Sequence, residues 1–276
     1  MPGTLYLCGT PIGNLEDMTY RAVRILKEVD FIAAEDTRHS MKLLNHFDIK
    51  TPFTSYHEHN KQKSGKKIVE QLKNGKSGAL ITDAGMPCIS DPGSDLVRLC
   101  HEEGINVTAV PGPTALITGL ALSGFLNRQF AFLGFLPANK KGRASVLLTA
   151  KTLPYPIVIY EAPHHLKKTL NDIHDHLDNR NIAITRELTK KFEEVKITTV
   201  SDAIDFYEQN TPKGEYVVII EGVTHETAES EPKTEDDIIE AIQKHIEEGL
   251  SKMDAIKAAA KELGLKKSEV YDLVNR

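Results

Sequence analysis

Residues Gly78 to Gly104 read GALITDAGMPCISDPGSDLVRLCHEEG. The apolar run GALIT leads into a stretch dense in glycine, proline and aspartate, Asp83 to Asp95, and then into the helical pattern DLVRLCHEEG. A continuous apolar strand, a loop at its carboxyl end and a helix make one βα unit of a parallel sheet. The alternation repeats on either side: TLYLCG then TYRAVRILKEV, DFIAAE then HSMKLLNHF, NVTAV then TALITGLALSG. The first half is therefore expected to be α/β. Ligands of open α/β sheets bind beyond the carboxyl ends of strands, so the loop from Asp83 to Asp95 lies where one is expected.

A second round follows. Strands are predicted at QFAFLGF, PIVIYE, NIAITRE, EVKITTV and GEYVVIIEG, with helices near residues 141–150, 164–177 and 201–210. NIAITRE and EVKITTV leave no room for a helix between them, so this sheet should be mixed. Gly124 and Asn127 break the chain between the two rounds. The reading is two α/β domains, 1–124 and 125–224, followed by an acidic linker and helical tail over 225–276. In that tail Thr234 with Asp237, and Ser251 with Asp254, resemble N-caps, and Gly249 and Gly264 are placed to end helices. A last helix opened by Ser268 would complete a helix-turn-helix unit.

Composition narrows the class. With 276 residues, 40% of them hydrophobic, there is enough apolar material for two cores. Cys8, Cys88 and Cys100 have neither paired spacing nor an even count, so no disulfide framework or zinc knuckle is expected, and a reducing cytoplasm suits the chain. The start MPGTLYLCGTPIGN has no positively charged segment ahead of an apolar stretch, and no apolar run approaches the ~20 residues that span a bilayer, so neither secretion nor membrane insertion is expected. A net charge of -5 argues against coating nucleic acid by bulk electrostatics. The basic clusters Lys61/Lys63/Lys66/Lys67, Lys140/Lys141/Arg143, Lys190/Lys191 and Lys266/Lys267 read, taken singly, as solvated faces.

Three stiff loops follow first-half strands: GTPIGN from Gly9, the Asp83 loop, and VPGPTA from Val110. The first is neither a P-loop nor G-x-G-x-x-G. Together they support a small molecule held largely by main-chain groups. The ordered strings GTPIGNLEDMTYRA, AAEDTR, SYHEHN, DAGMPCISDPG, VPGPTALITGLALSG, FLGFLP, YEAPHHL and TRELTKKFEE go further. In that order they resemble the tetrapyrrole-methylase superfamily, and within it the small-subunit (16S) ribosomal RNA cytidine 2′-O-methyltransferases. The resemblance runs from about residue 3 to 223, and the tail is similar to that family's helix-turn-helix extension. It implies a homodimer with S-adenosyl-L-methionine in the cleft between the two α/β domains, acting on ribosomal RNA or the small subunit at a decoding-region site. By position, Asp83, Ala84, Gly85, Met86 and Pro87 would hold the donor's methionine part, with Ile89 and Ser90 beside it. Thr114 and Ala115 would line the floor, Tyr160, Glu161 and Ala162 would face the adenosine, and Pro11 would touch the donor from the first loop.

Transfer to a ribose hydroxyl asks the protein for alignment and for a base. Glu35, Asp36, His57, Glu58, Lys190 and Glu193 are the candidates, and the sequence does not single one out. Glu35 and Asp36 follow a buried-type strand, where an acid often caps the next helix. Arg38, Arg186 and Lys190 are candidates for RNA phosphates. His57 and His59 flank Glu58 at a spacing that matches no zinc motif, so no metal is expected. Two other readings compete: carbon methylation of a tetrapyrrole, whose enzymes resemble a more glycine-rich first loop, and a non-catalytic RNA-binding or assembly protein that uses its tail.

Overall fold

The computed structural model describes residues 1–126, 128–223, 235–247, 250–263 and 270. Its first sheet is made of β1 (Thr4–Cys8), β2 (Phe31–Ala34), β3 (Phe53–Ser55), β4 (Gly78–Ile81) and β5 (Asn106–Val110), in the order β3-β2-β4-β1-β5. All four pairings are parallel. Side-chain alternation along these strands feeds two separate cores. Ile32, Ala34, Ala79 and Ile81 pack with α1 (Tyr20–Glu28) and α2 (Thr37–His46) on one face. Phe31, Ala33 and Leu80 pack with α3 (Lys61–Lys73) and α4 (Gly93–Glu102) on the other.

α3 and the three-residue β3 go beyond the sequence expectation. Lysines crowd the helix, yet Ile68, Val69 and Leu72 keep the helical period and are buried, so an apolar stripe lies under a basic face. Lys61 is not simply solvated. Its Nζ stands 2.7 Å from both Glu58 and Asp95.

The second sheet comprises β6 (Ala131–Phe135), β7 (Ile157–Glu161), β8 (Asn181–Arg186), β9 (Glu194–Thr199) and β10 (Tyr216–Ile220), in the order β6-β7-β10-β8-β9. β6 and β7 are parallel and the other pairs antiparallel, so the sheet is mixed as expected. One face, with Tyr216, Val218 and Ile220 of β10, packs on α6 (Lys140–Ala150), α7 (Pro163–Leu177) and α8 (Val200–Gln209). Arg143, expected on a solvated face, is instead buried on α6. Its Nε lies 2.6 Å from Asp172 of α7, and its Nη1 donates to the carbonyls of Pro137 and Ala138. These contacts engage Nε and Nη1 and pair the buried charge, while Nη2 is buried without a hydrogen bond among the described residues.

The other face of the second sheet is covered by α5 (Ala115–Ser123), which leaves β5 of the first sheet. Its sequence ALITGLALS is apolar almost all round. Leu116 and Leu120 pack on Val158, Ala183, Val217 and Ile219. One helix thus joins the two halves of a compact unit, residues 1–223.

Residues 224–276 form a second unit. In it α9 (Glu235–Glu247) and α10 (Lys252–Leu263) bury Ile238, Ile242, Ala255, Ile256 and Ala259 together with Val270. Ser251 Oγ accepts from the Asp254 amide, the cap that the sequence signals. Thr234, Gly249, Gly264 and Ser268 lie outside the described residues. Among the described residues no helix is long and apolar enough to cross a membrane.

Candidate functional site

Strand ends from both sheets meet around a cavity of about 550 Å³. From the first sheet come Ile12 after β1, Glu35 after β2, Thr82 to Met86 after β4, and Thr114 and Ala115 after β5. From the second come Phe135 and Tyr160 at the ends of β6 and β7, and Leu188 after β8. Tyr216 and Val217 come from the start of β10, which runs the opposite way and so presents its beginning here. The size falls within the range of small-molecule sites.

The loops are locked to one another through backbone. Thr10 and Gly85 exchange both amide hydrogen bonds, at 3.0 and 3.1 Å, and Thr10 Oγ1 donates to the Thr82 carbonyl. Gly85 has φ +82°, which an L side chain rarely adopts. Gly9 and Gly112 pack main chain on main chain, and a Cβ on Gly9 would lie 2.7 Å from Gly112 Cα. The Asp91 carboxylate ties down the rest of its loop, accepting from the amides of Cys88 and Gly93.

The facing wall is set by buried polar contacts. Tyr160 accepts from the Leu116 amide at 3.0 Å, and its ring sits edge-on to Phe132 and Phe135. Burial holds its phenol above the ordinary range. Glu161, 6% exposed, accepts from Thr169 Oγ1 at 2.5 Å and from the Ala162 amide at 2.8 Å, so both its oxygens are engaged.

The cavity is rich in carboxylates. Burial raises the pKa of Asp83 and of Asp91, and the charge of Glu35 pushes both in the same direction. Amides that donate to these two carboxylates, from Asp36 to Asp83 and from Cys88 and Gly93 to Asp91, offset part of that rise. Glu35 Oε2 accepts from Thr82 Oγ1 at 2.6 Å. Thiol chemistry is not offered here. Burial pushes Cys8 and Cys88 up to about 12 and Cys100 to about 11, and none of the three lines the cavity.

Of the donor-site residues named from sequence, Asp83, Ala84, Gly85, Met86, Ile89, Ser90, Thr114, Ala115, Tyr160, Glu161 and Ala162 all line this cavity. Pro11 and Pro87 are buried behind the lining, and Ile12 takes the first loop's place at the wall. Phe135, Leu188 and Glu215 to Val217 line the cavity beyond the sequence-derived set, as do Thr82, Asp91 and Pro163. FLGFLP and TRELTKK carried the first two, whereas the reversed direction of β10 leaves no mark on a single strand's sequence.

The acceptor-side candidates scatter. Glu35 lines the cavity, but Asp36, His57 and Lys190 do not. Asp36 caps α2 through the Arg38 amide and pairs with the Arg38 guanidinium, whose hydrogen bond holds its carboxyl well below the usual range. The capping alternative thus describes Asp36 but not Glu35. His57 stands edge-on to His59, its Nδ1 buried with no hydrogen-bond partner among the described residues, and Glu58 pairs with Lys61. Glu193 accepts from the Thr189 amide. Lys190 Nζ lies 2.9 Å from Glu187 and 2.7 Å from Glu215; burial works against its charge, but these two carboxylates outweigh it and raise its pKa. Arg186 pairs with Glu194 at 3.1 Å, while Arg38 stays 89% exposed. Among the described residues no group of three or more His, Cys, Asp or Glu is placed to hold a metal ion.

This arrangement can be set beside known proteins. The family described as Tetrapyrrole (Corrin/Porphyrin) Methylases matches residues 4–204. The chain belongs to that family. Over 276 residues this methylase is 45% identical to Ribosomal RNA small subunit methyltransferase I of Halalkalibacterium halodurans, covering 99% of the chain and 95% of that protein. The protein of the same name from Thermotoga maritima is 48% identical over 220 residues, 80% of this methylase and 99% of its own length. Among solved structures, diphthine synthase shares the fold at a TM-score of 0.64 and 11% identity, covering 80% of this chain and 90% of that one.

Proposed function

We propose that the methylase transfers a methyl group from S-adenosyl-L-methionine to the 2′-hydroxyl of a cytidine in small-subunit ribosomal RNA, at a decoding-region site. The reading supposes a homodimer working in the cytoplasm on RNA or on the small subunit. The single observation that carries it is the cavity, where the lining residues named from the family's donor site meet across two sheets. The near full-length similarity to proteins named as small-subunit RNA methyltransferases supports the choice of acceptor.

The lining fits the donor. Gly85 at positive φ exposes main chain to the methionine part, and Asp83 offers an oxygen to an ammonium group. Its other oxygen, Oδ1, already accepts the Asp36 amide. Tyr160 and Phe135 form an apolar wall suited to a purine, with Phe132 packed against the Tyr160 ring. The donor brings an activated methyl, so the chain's own residues need only align it, exclude water and take up a proton. Arg38, Arg186 and Lys190 are proposed to meet RNA phosphates, with Arg38 the most available of the three.

The test is methyl incorporation into small-subunit particles, mapped to the nucleotide and sugar position. The expected result is a single cytidine 2′-O-methyl group. Label on a base, on a tetrapyrrole or nowhere would overturn the reading.

A further inference from the structure

We infer that Glu35 takes the proton of the acceptor hydroxyl, with Thr82 holding its carboxylate in place; this rests on the methyl-transfer reading above. Of the acids and bases in the acceptor-side strings, only Glu35 lines the cavity. Asp36 is spent on its helix cap and on Arg38, and Lys190 is a cation held between two carboxylates, with no lone pair to offer.

The lining carboxylates separate by what already binds them. Asp91 is occupied by its own loop's amides and Glu161 by Thr169 and Ala162. Glu215 is tied to Lys190 and largely exposed. Among the described residues, Glu35 and Asp83 each keep one oxygen without a protein hydrogen bond, Oε1 and Oδ2.

These two stand close together, since the Asp36 amide donates to Asp83 Oδ1, but their loops are tied to opposite neighbours in the sheet. Asp83 belongs to the loop of Gly85, which is pinned to Thr10 after β1, and β5 with Thr114 lies on the far side of β1. That is the donor side. Glu35 follows β2, on the opposite flank of β4, next to β3. Thr82 is 8% exposed, and its hydroxyl fixes Oε2 at 2.6 Å, leaving Oε1 as the acceptor of a proton. In the step, Glu35 Oε1 gains the hydroxyl proton while the ribose oxygen bonds to the methyl carbon. The carbon–sulfur bond breaks with its electron pair remaining on sulfur, so the sulfonium charge is discharged.

The experiment compares wild type, Glu35→Gln and Thr82→Val by single-turnover methyl transfer to small-subunit particles and by calorimetry with S-adenosylhomocysteine. Glu35→Gln should lose about 100-fold or more in rate, the scale of a missing general base, with affinity for S-adenosylhomocysteine unchanged. Thr82→Val keeps the carboxylate but not its anchor and should lose about tenfold, as for one hydrogen bond to a charged group. It also keeps the test open if Glu35→Gln does not fold. Wild-type rates in both variants, or a collapse of donor affinity in Glu35→Gln, would overturn the assignment. Absence of transfer by the wild type itself would overturn both readings, because there would then be no ribose proton for Glu35 to accept.

Discussion

Gly85 shows how much one backbone angle can carry. It donates to and accepts from Thr10, it has φ +82°, and a Cβ there would stand 3.3 Å from Ile12 Cγ2 and 3.4 Å from the Pro113 carbonyl. A side chain at this position points at the neighbouring loops, so its damage comes through loop geometry. Gly85→Val should strain the turn by about 1–3 kcal/mol and weaken S-adenosylhomocysteine binding about tenfold or more, while the circular dichroism spectrum stays that of the wild type. Calorimetry at equal protein concentration checks this. The Asp83 loop was readable in sequence because glycine, proline and aspartate punctuate it. What its side chains bind was not readable, since Thr82 with Glu35 and Asp36 with Asp83 are each 47 positions apart.

Elements follow from periodicity where it is unobstructed. Strands with all residues buried, such as FIAA and GALI, announce themselves, and the crowded lysines of α3 conceal a helix whose buried stripe is Gly65, Ile68, Val69 and Leu72. Arg143 misleads for the converse reason: it sits in a basic run, and its partner Asp172 is a helix away. With side-chain exposures of 4% and 8%, this pair is almost entirely withdrawn from water. Asp172→Ala leaves the guanidinium buried and unpaired. It should cost about 3–5 kcal/mol, whereas replacing both residues by apolar ones of similar volume should cost far less. Urea unfolding of the single and double variants measures the difference.

For the whole chain, the break after Val223 separates a unit that holds the entire cavity from one that holds α9 and α10. The Thermotoga maritima relative is 99% covered by 220 aligned residues, close to the length of the first unit. A protein ending at Val223 should therefore fold cooperatively and bind S-adenosylhomocysteine as the full chain does. Thermal unfolding and calorimetry test it, and aggregation or lost affinity would show that the tail supports the site. Sequence reading found both sheets and the tail because each carries its own periodicity. It could not find that α5 packs on the second sheet, because an evenly apolar helix has no preferred face to read.

That packing of α5 also bears on how the protein melts. The turn that starts the helix supplies Thr114 and Ala115 to one side of the cavity, and the Leu116 amide reaches across to the Tyr160 hydroxyl on the other. Neither sheet alone offers a complete surface to a guest, so a molecule filling the space acts as a rivet through both. Its free energy of binding is then shared by the whole unit: at a hundred times the dissociation constant it adds about 2.7 kcal/mol against unfolding. The two sheets would part at a higher temperature, and together.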